Sequence, residues 1–472
     1  MLIVHEFEML TVSWWMVSPA KGNFMFSYCL KASYQKLQKD QTVLLAQLRS
    51  WRAILLMVMV SLFYIICFFM SHFVHFPSSY PLHVASTLYV VPSGTGPGHA
   101  GDHFIYLANA WLAGHLYVAT PPAGMLGDYT FWHRHWYVSF PPLPALFFLP
   151  LVAIFHFQHQ FALSIAVELF FSLLNVGLMF FLLHRMVAKG LIHLSFPSFA
   201  WLFVFFTCGT ELLYVSMQAT VWFLAHLIAT TFLLLYLLEL IGKRRSWLIA
   251  FWLGTAALSR STTLLAFPSS LLLIFLLERQ KPLLLLKQCL IFGGVLAIFV
   301  GGMMLYNLAR FGSLLEFGYS SMYVNARLVP NLTKYGQFNL HFLPTNFYYM
   351  LIQPPHILAM LPYIRFDPFG TGIFWTMPAL YPLFRTFFMR PRSYLAWSLL
   401  AGCPLPIVAH LLYFNTGWYQ FGYRFFLDVI PLVFLLAVLG FHERLRGYEK
   451  LVIVLSIGIN IWGWFAYTCV SR

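Results

Sequence analysis

Long apolar runs recur along the chain from Trp51 to its end, and short polar connections separate them. Several runs approach the roughly 20 residues that an α-helix needs to cross a hydrocarbon core of about 30 Å. Runs of this length indicate helices, because a membrane β-barrel would show weaker alternation in segments of about ten residues. The pattern therefore predicts an all-α polytopic membrane protein, a bundle of about 11 transmembrane helices with a range of 10–13. The predicted spans are 52–71, 161–184, 197–217, 219–241, 246–259, 262–278, 284–307, 368–386, 394–414, 424–441 and 451–468.

The apolar run at 141–157 holds 17 residues and begins in a proline-rich sequence, so it either spans the membrane or only dips into it. If it spanned, the basic loops that follow would lie outside, against the excess of Lys and Arg expected in cytoplasmic loops. We therefore predict that it is re-entrant or interfacial, with the N-terminus inside and the C-terminus outside. This choice makes five basic loops cytoplasmic: Arg185/Lys189, Lys243 to Arg245, Arg279/Lys281/Lys287, Arg385/Arg390/Arg392 and Arg444/Arg446/Lys450.

Composition agrees with a membrane protein and excludes a soluble domain. The chain is 60% hydrophobic and 9% charged, whereas soluble domains carry about a quarter charged residues. Its net charge of +14 does not indicate nucleic-acid binding, because the cations collect in short loops between apolar runs. The six cysteines are scattered singly, which indicates neither a disulfide framework nor a zinc site.

Residues 51–472 are predicted to form one transmembrane domain. Two of its long segments are predicted to lie outside the membrane as loops. Residues 1–50 are predicted to form a cytoplasmic N-terminal tail, 72–160 a first outer loop and 309–367 a second. In the first loop, Phe104, Leu107, Ala108 and Trp111 follow the spacing of an amphipathic interfacial helix that Gly114 closes. In the second loop, the apolar stretch at 347–363 is predicted to form another interfacial helix.

Asp102 is the most informative acid, because it is one of only 14 acidic residues and precedes the amphipathic helix of the first outer loop. Two interpretations are open: an N-cap that satisfies free backbone N–H groups, or a chemical role. The other outer acids are Asp128, Glu316 and Asp367. Asp128 is interpreted as a turn residue, and Glu316 and Asp367 as turn or salt-bridge residues.

Three arginines stand at the predicted outer ends of spans, where a cation is costly unless it is paired or solvated: Arg260, Arg310 and Arg424. A guanidinium binds phosphate through two parallel hydrogen bonds, so each could hold the phosphate of a lipid between helices. The alternative is that each reaches the head groups. His226 and Trp222 share one helix face near the outer end of a span.

Four histidines of the first outer loop raise the question of a metal: His99, His103, His133 and His135. They have no carboxylate pair beside them, so a divalent metal is possible but not favoured, and we predict no cofactor.

Several short motifs occur in a recognisable order. They are Gly98–Gly114, Trp136–Pro144, Tyr306–Gly312 with Phe317–Tyr319, Gly370–Pro378 and Gly417–Asp428. With these motifs the chain, from about residue 52 to the C-terminus, resembles the GT-C superfamily of polyprenyl-phosphate-dependent glycosyltransferases. It looks like the bacterial members related to protein O-mannosyltransferases and lipid A aminoarabinose transferases.

The resemblance implies a multi-pass enzyme of the inner (plasma) membrane that takes a sugar from a polyprenyl-phosphate donor on the non-cytoplasmic face. The acceptor would be a lipid, a glycan or a protein, and no nucleic acid is involved. The acid that relatives carry early in the first outer loop corresponds to Asp102, the expected general base of an inverting transfer. Many relatives have a second acid next to it, where this chain has His103, and this favours a metal-free mechanism.

The remaining predicted site residues bind substrate: His103, Tyr106, Arg134, Arg260, Arg310, Tyr319, Tyr423 and Arg424. The main alternative is a lipid-linked glycan transporter or flippase without bond cleavage. It is disfavoured because inverted repeats and intramembrane acid pairs are not evident. A third alternative is a non-catalytic membrane scaffold, in which Asp102 would be a cap only.

Overall fold

A computed structural model describes residues 46–47, 51–74, 102–119, 121, 127–155, 160–359, 364–388, 393–417 and 420–470. The predicted tail 1–50, apart from 46–47, and much of the loop 72–101 lie outside the described residues, as does His99. The described chain is mostly helical, with two small hairpins.

Seven of the described helices are long and apolar enough to cross a membrane, and four more apolar helices are shorter. The chain is thus an all-α, multi-pass membrane protein. The seven are Trp51–Phe73, Ala162–Ala188, Val221–Ile241, Ser261–Glu278, Pro282–Phe311, Tyr394–Leu411 and Gly447–Thr468; the four are Leu143–Phe155, Phe196–Cys208, Ser246–Ala257 and Ile430–Gly440.

Among the residues that the structure describes, the first half of the chain contains eight α-helices and one hairpin. In order they are α1 (Trp51–Phe73), α2 (His103–Leu112), β1 (Tyr129–Trp132), β2 (His135–Val138), α3 (Leu143–Phe155), α4 (Gln160–Ala188), α5 (Phe196–Cys208), α6 (Leu212–Val215), α7 (Val221–Ile241) and α8 (Ser246–Ala257). Helix α7 is buried along most of its length and packs against α4 and α8. It therefore forms the centre of this half of the bundle.

The second half alternates long helices with short pieces. In order they are a 3-10 helix (Ser261–Ala266), α9 (Phe267–Glu278), α10 (Pro282–Phe311), 3-10 turns at Tyr319–Ser321 and Leu340–Phe342 on either side of α11 (Val329–Tyr335), α12 (Leu343–Phe347), a π-helix (Tyr348–Ile352), β3 (His356–Ile357), β4 (Ile364–Arg365), α13 (Ile373–Thr376), a 3-10 turn (Pro378–Leu380), α14 (Pro382–Phe388), α15 (Tyr394–Gly402), α16 (Pro404–Leu411), a 3-10 helix (Arg424–Asp428), α17 (Ile430–Gly440), α18 (Gly447–Trp464) and a π-helix (Phe465–Val470).

Several predicted spans are not single helices. Span 197–217 breaks after Gly209 and continues as the short α6. Span 368–386 is divided into α13, a 3-10 turn and α14, since Pro378 and Pro382 lack the N–H that would continue a helix. Span 394–414 divides at Cys403, before Pro404, for the same reason.

The amphipathic helix of the first predicted outer loop is confirmed. Helix α2 begins at His103, buries Phe104, Leu107 and Ala108, and ends before Gly114, which has the positive φ typical of a helix terminus. The run at 141–157 forms the 13-residue helix α3, which packs against α2.

The prediction of an interfacial helix at 347–363 is wrong. Helix α12 and the π-helix end at Ile352, Pro354 and Pro355 follow, and the chain then forms the antiparallel hairpin β3–β4. Two consecutive prolines cannot donate backbone hydrogen bonds and restrict the residue before them, which explains why the helix stops.

The hairpin β1–β2 was not predicted by the apolar pattern. Its strands pair Tyr129 with Val138 and Trp132 with His135, and the two-residue turn consists of His133 and Arg134, both with positive φ. Positive φ at both central residues is the geometry of a tight turn that matches strand twist. Both strands contain aromatic and β-branched residues, which are enriched in β-strands and could have indicated the hairpin.

Candidate functional site

Asp102 lies directly before α2, at its N-cap position, and the residue is only 8% exposed. Its carbonyl accepts hydrogen bonds from the backbone N–H groups of Ile105 (3.0 Å) and Tyr106 (3.2 Å). Its carboxylate makes no capping bond and instead accepts a bond of 3.2 Å from the Ser164 hydroxyl on α4. The carboxylate is thus directed to the bundle rather than to the helix end, and the N-cap interpretation does not account for it.

His103 connects the start of α2 to the turn before β1. Its Nε2–H donates to the Gly127 carbonyl at 3.0 Å, and its ring stacks on Tyr129 with the centres 4.1 Å apart. Burial raises the pKa of Tyr129 well above its usual value, and neighbouring Tyr106 and Asp102 act in the same direction. His103, Tyr106, Asp102 and Tyr129 therefore form one neighbourhood, in which the Tyr129 hydroxyl stays protonated.

Asp128 follows Gly127 and is a turn residue, as predicted, with a φ of 65°. Its N–H donates to the Tyr323 carbonyl at 2.7 Å, and its carboxylate accepts a 2.5 Å bond from the Trp222 indole Nε1–H on α7. Burial raises the pKa of Asp128, and the Trp222 hydrogen bond and the Arg424 charge oppose that shift. Asp128 thus stands near Arg424 and shares the Gly127 turn with the Asp102 neighbourhood.

Arg260 and Arg424 share one aromatic ring. The guanidinium carbon of Arg260 lies 5.4 Å from the centre of the Phe425 ring, and that of Arg424 lies 5.3 Å from the same centre. Arg424 also lies 4.9 Å from the centre of the Phe223 ring on α7. Stacking of this kind stabilises a guanidinium away from water while its edge remains able to donate hydrogen bonds.

Asp428 is the centre of a buried polar cluster that the sequence did not predict. His226 Nδ1 lies 2.9 Å from its Oδ1, and His410 Nε2 lies 3.0 Å from its Oδ2. Arg260 Nη2 donates to Oδ2 at 3.2 Å, and the Thr262 hydroxyl donates to the same oxygen. The signal that could have found this cluster was an acid and two histidines within apolar segments, since intramembrane ionisable residues require partners.

Tyr319 connects the second predicted outer loop to these charges. Burial raises the pKa of its hydroxyl, the positive charges of Arg260 and Arg310 lower it, and Asp128 raises it. The Tyr319 hydroxyl therefore lies within electrostatic range of two of the predicted arginines and of Asp128.

Arg310, at the end of α10, is buried and is held by the hairpin and by its own helix. Its Nη1 donates to the Val138 carbonyl at 2.7 Å and its Nη2 donates to Asn307 Oδ1 at 2.9 Å. The guanidinium carbon lies 4.0 Å from the centre of the Tyr306 ring. Nη1 thus joins α10 to β2, whereas Nη2 bonds to a residue of α10 itself.

The two other predicted site residues are differently placed. Tyr423 is buried, and its backbone N–H donates to Glu211 Oε1 at 2.8 Å, which positions the segment that carries Arg424. Arg134 lies exposed in the turn of the β1–β2 hairpin. Tyr423 thus adjoins the arginine pair, whereas Arg134 has no described contact with the other site residues.

The turn interpretations of two further acids are confirmed. Glu316 Oε1 accepts a bond from Gly318 N at 2.6 Å, and Asp367 Oδ1 accepts one from Phe369 N at 2.9 Å. Asp367 also pairs with His356 at 3.1 Å.

Within the described ranges, no group of three or more His, Cys, Asp or Glu side chains is placed to hold a metal ion. In the Asp428 cluster, the two histidines direct their nitrogens at different carboxylate oxygens, so these ligands do not converge on one point.

Comparisons of the chain with known protein families, with characterised proteins and with solved structures find no match.

Proposed function

We propose that this chain is a membrane glycosyltransferase that moves a sugar from a polyprenyl-phosphate donor to an acceptor on the non-cytoplasmic face of the plasma membrane. The observation that carries the proposal is the pair of guanidinium groups, Arg260 and Arg424, on the single buried ring of Phe425. Two cations at the ends of membrane helices suit a ligand with an anionic head and an apolar tail.

The placement of the arginines favours a lipid-linked phosphate over a soluble anion. Arg260 lies at the break between α8 and the 3-10 helix at 261–266, and Arg424 lies in a segment that packs against α7. A phosphate bound there would have apolar helices beside its tail. Tyr319, near Arg260 and Arg310, would add a hydroxyl donor.

Asp102 is proposed as the general base. In the reaction, the acceptor oxygen attacks the anomeric carbon while Asp102 takes the acceptor's proton. The bond from that carbon to the phosphate oxygen breaks, its electron pair stays on the phosphate, and Arg260 and Arg424 stabilise the charge. Displacement from the opposite face inverts the anomeric centre.

The contacts of the first predicted outer loop support this division of roles. Asp102 directly precedes α2 and His103 begins it. His103 bonds to Gly127, and Asp128, which follows Gly127, bonds to Trp222 on α7. One short turn therefore connects the base to the helix that also carries Phe223, the second ring under Arg424. Tyr106 and Tyr129 would line the acceptor side.

The proposal extends to the architecture, with a GT-C-like bundle of about 11 spans, the N-terminus in the cytoplasm and no cofactor. The acceptor class stays open among lipid, glycan and protein.

Purified protein in proteoliposomes, supplied with polyprenyl-phosphate sugars carrying a labelled hexose or pentose, tests the proposal. We expect label on envelope acceptors and release of polyprenyl phosphate, both lost in Arg260→Gln and Arg424→Gln. Label that crosses the bilayer with its sugar–phosphate bond intact would instead establish the transporter alternative. Absence of both reactions with every donor would refute the proposal.

A further inference from the structure

The Asp428 carboxylate is fixed from several sides. It is 1% exposed, and each oxygen has its own histidine, His226 on α7 and His410 on α16. Thr262 donates a further hydrogen bond to Oδ2. Three separate segments of the chain therefore hold this carboxylate in one orientation.

The orientation of Asp428 determines which edge of Arg260 it uses. Arg260 donates from Nε to Oδ1 at 3.4 Å and from Nη2 to Oδ2 at 3.2 Å. A guanidinium has five N–H donors, and among the described residues Arg260 donates to no other acceptor. The Arg260 side chain is 18% exposed, whereas that of Asp428 is 1% exposed, so Arg260 is the accessible member of the pair.

The backbone of Arg260 is also fixed. The preceding Ser259 hydroxyl donates to the Ala225 carbonyl on α7 at 2.8 Å, and Thr263 donates to the Arg260 carbonyl at 2.8 Å. With the backbone held by these bonds, the guanidinium near the Phe425 ring and one of its edges bonded to Asp428, Arg260 has little rotational freedom.

We infer that Asp428 is a positioning residue: it holds the Nε–Nη2 edge of Arg260 so that the remaining edge faces the donor phosphate. This role rests on the proposed function. Because Asp428 is only 1% exposed and pairs with Arg260, it acts on the donor through Arg260.

The charge of Asp428 and its orienting role predict different effects of removing this carboxylate. Asp428 carries a negative charge near the phosphate, so Asp428→Asn would strengthen ground-state binding of an anionic lipid if only the net charge mattered. If orientation matters, the same change slows the chemical step, because misplacement by about 1 Å costs on the order of 10²-fold in rate. Binding and turnover should therefore change in different directions.

The test measures kcat and donor KM for four forms of the full chain in proteoliposomes: wild type, Asp428→Asn, Arg260→Lys and the double variant. Asp428→Asn should lower kcat about 10- to 100-fold without raising KM. In the Arg260→Lys background the same change should have less than about a twofold effect, since residues that act through each other are not additive.

Two further variants keep the test decisive. Thr262→Val removes one bond to Asp428 with little change in shape, and about a threefold fall in kcat is expected, again absent in the Arg260→Lys background. If Asp428→Asn does not fold, Thr262→Val tests the positioning role in its place. Asp367→Asn, which removes another carboxylate paired with a histidine, is the matched control and should keep wild-type kcat.

Additive effects of the Asp428 and Arg260 changes would overturn the positioning role while leaving the transferase proposal intact. A wild type with no transfer from any polyprenyl-phosphate donor would refute both. Equal thermal stability of Asp428→Asn and wild type, with the kinetic pattern above, excludes a role in folding alone.

Discussion

The indole Nε1–H of Trp222 donates a hydrogen bond of 2.5 Å to the Asp128 carboxylate and so connects the first predicted outer loop to α7, the most buried of the seven long apolar helices described. Asp128 has a φ of 65°, a region that Asn and Asp tolerate better than other side chains. Its backbone N–H bonds to Tyr323 in the second predicted outer loop. One turn residue thus joins three parts of the chain.

Asp128→Asn should stabilise the protein at neutral pH. Burial raises the pKa of Asp128 in the folded state, so its charged form destabilises the fold fully above that pKa. The penalty decreases as the pH falls through the folded pKa and disappears at the lower pKa of the unfolded chain. Asn keeps the acceptor for Trp222 and the turn conformation but carries no charge. We expect an increase in Tm of roughly 1–3 °C at pH 7.5 that shrinks to zero toward pH 4. A gain that is independent of pH would contradict the assignment.

Arg310→Met should loosen the β1–β2 hairpin, because it removes the hydrogen bonds to the Val138 carbonyl and Asn307. Loss of hydrogen bonds from a charged group costs about 2 kcal/mol of unfolding free energy. Thermal unfolding should report that loss, and amide exchange should accelerate at 129–138. Arg134→Met, in the exposed turn of the same hairpin, is the control and should leave both measurements unchanged.

Phe425→Leu should weaken donor binding, because Arg260 and Arg424 both lose their shared ring. Cation–π contacts contribute about 0.5–2 kcal/mol each, so we expect donor KM to rise about tenfold. Phe366→Leu provides the matched control: Phe366 is also buried, and its described ring contact is with Phe421 rather than with an arginine. An equal rise in KM for both variants would show that packing alone explains the effect.

Transfer should persist in EDTA. The proposed chemistry uses Asp102 as base and arginines as the phosphate partners, so removal of divalent ions should change the initial rate by less than about twofold. The measurement compares chelated protein with protein resupplied with Mg²⁺, Mn²⁺ or Zn²⁺. Recovery of a lost rate by any one of these ions would contradict the metal-free mechanism.

The long spans and the Asp102 helix were predictable because each depends on local pattern. Twenty apolar residues identify α1 or α7 without knowledge of their neighbours, and the spacing of Phe104, Leu107 and Ala108 identifies one face of α2. The breaks in span 368–386 were also encoded locally by Pro378 and Pro382, but total hydrophobicity concealed them.

The Asp428 cluster was not predictable from spacing. His226, Arg260, His410 and Asp428 are separated by up to 202 positions in the chain, and only tertiary packing brings them together. The sequence marked Arg260 and Arg424 as costly cations at helix ends, but it gave no indication that both lie close to the Phe425 ring. Local pattern therefore identified candidates, whereas their partners required the fold.

The transfer rate of Asp102→Asn, assayed with purified, inserted protein and a polyprenyl-phosphate sugar, tests the role of Asp102 as general base most directly. Asn is nearly isosteric and can still accept the Ser164 hydrogen bond, so the fold and Tm should be preserved. Because it cannot take a proton, we predict a fall in kcat of at least about 10²-fold with donor KM little changed. Turnover at the wild-type rate would contradict the assignment of Asp102 as the base.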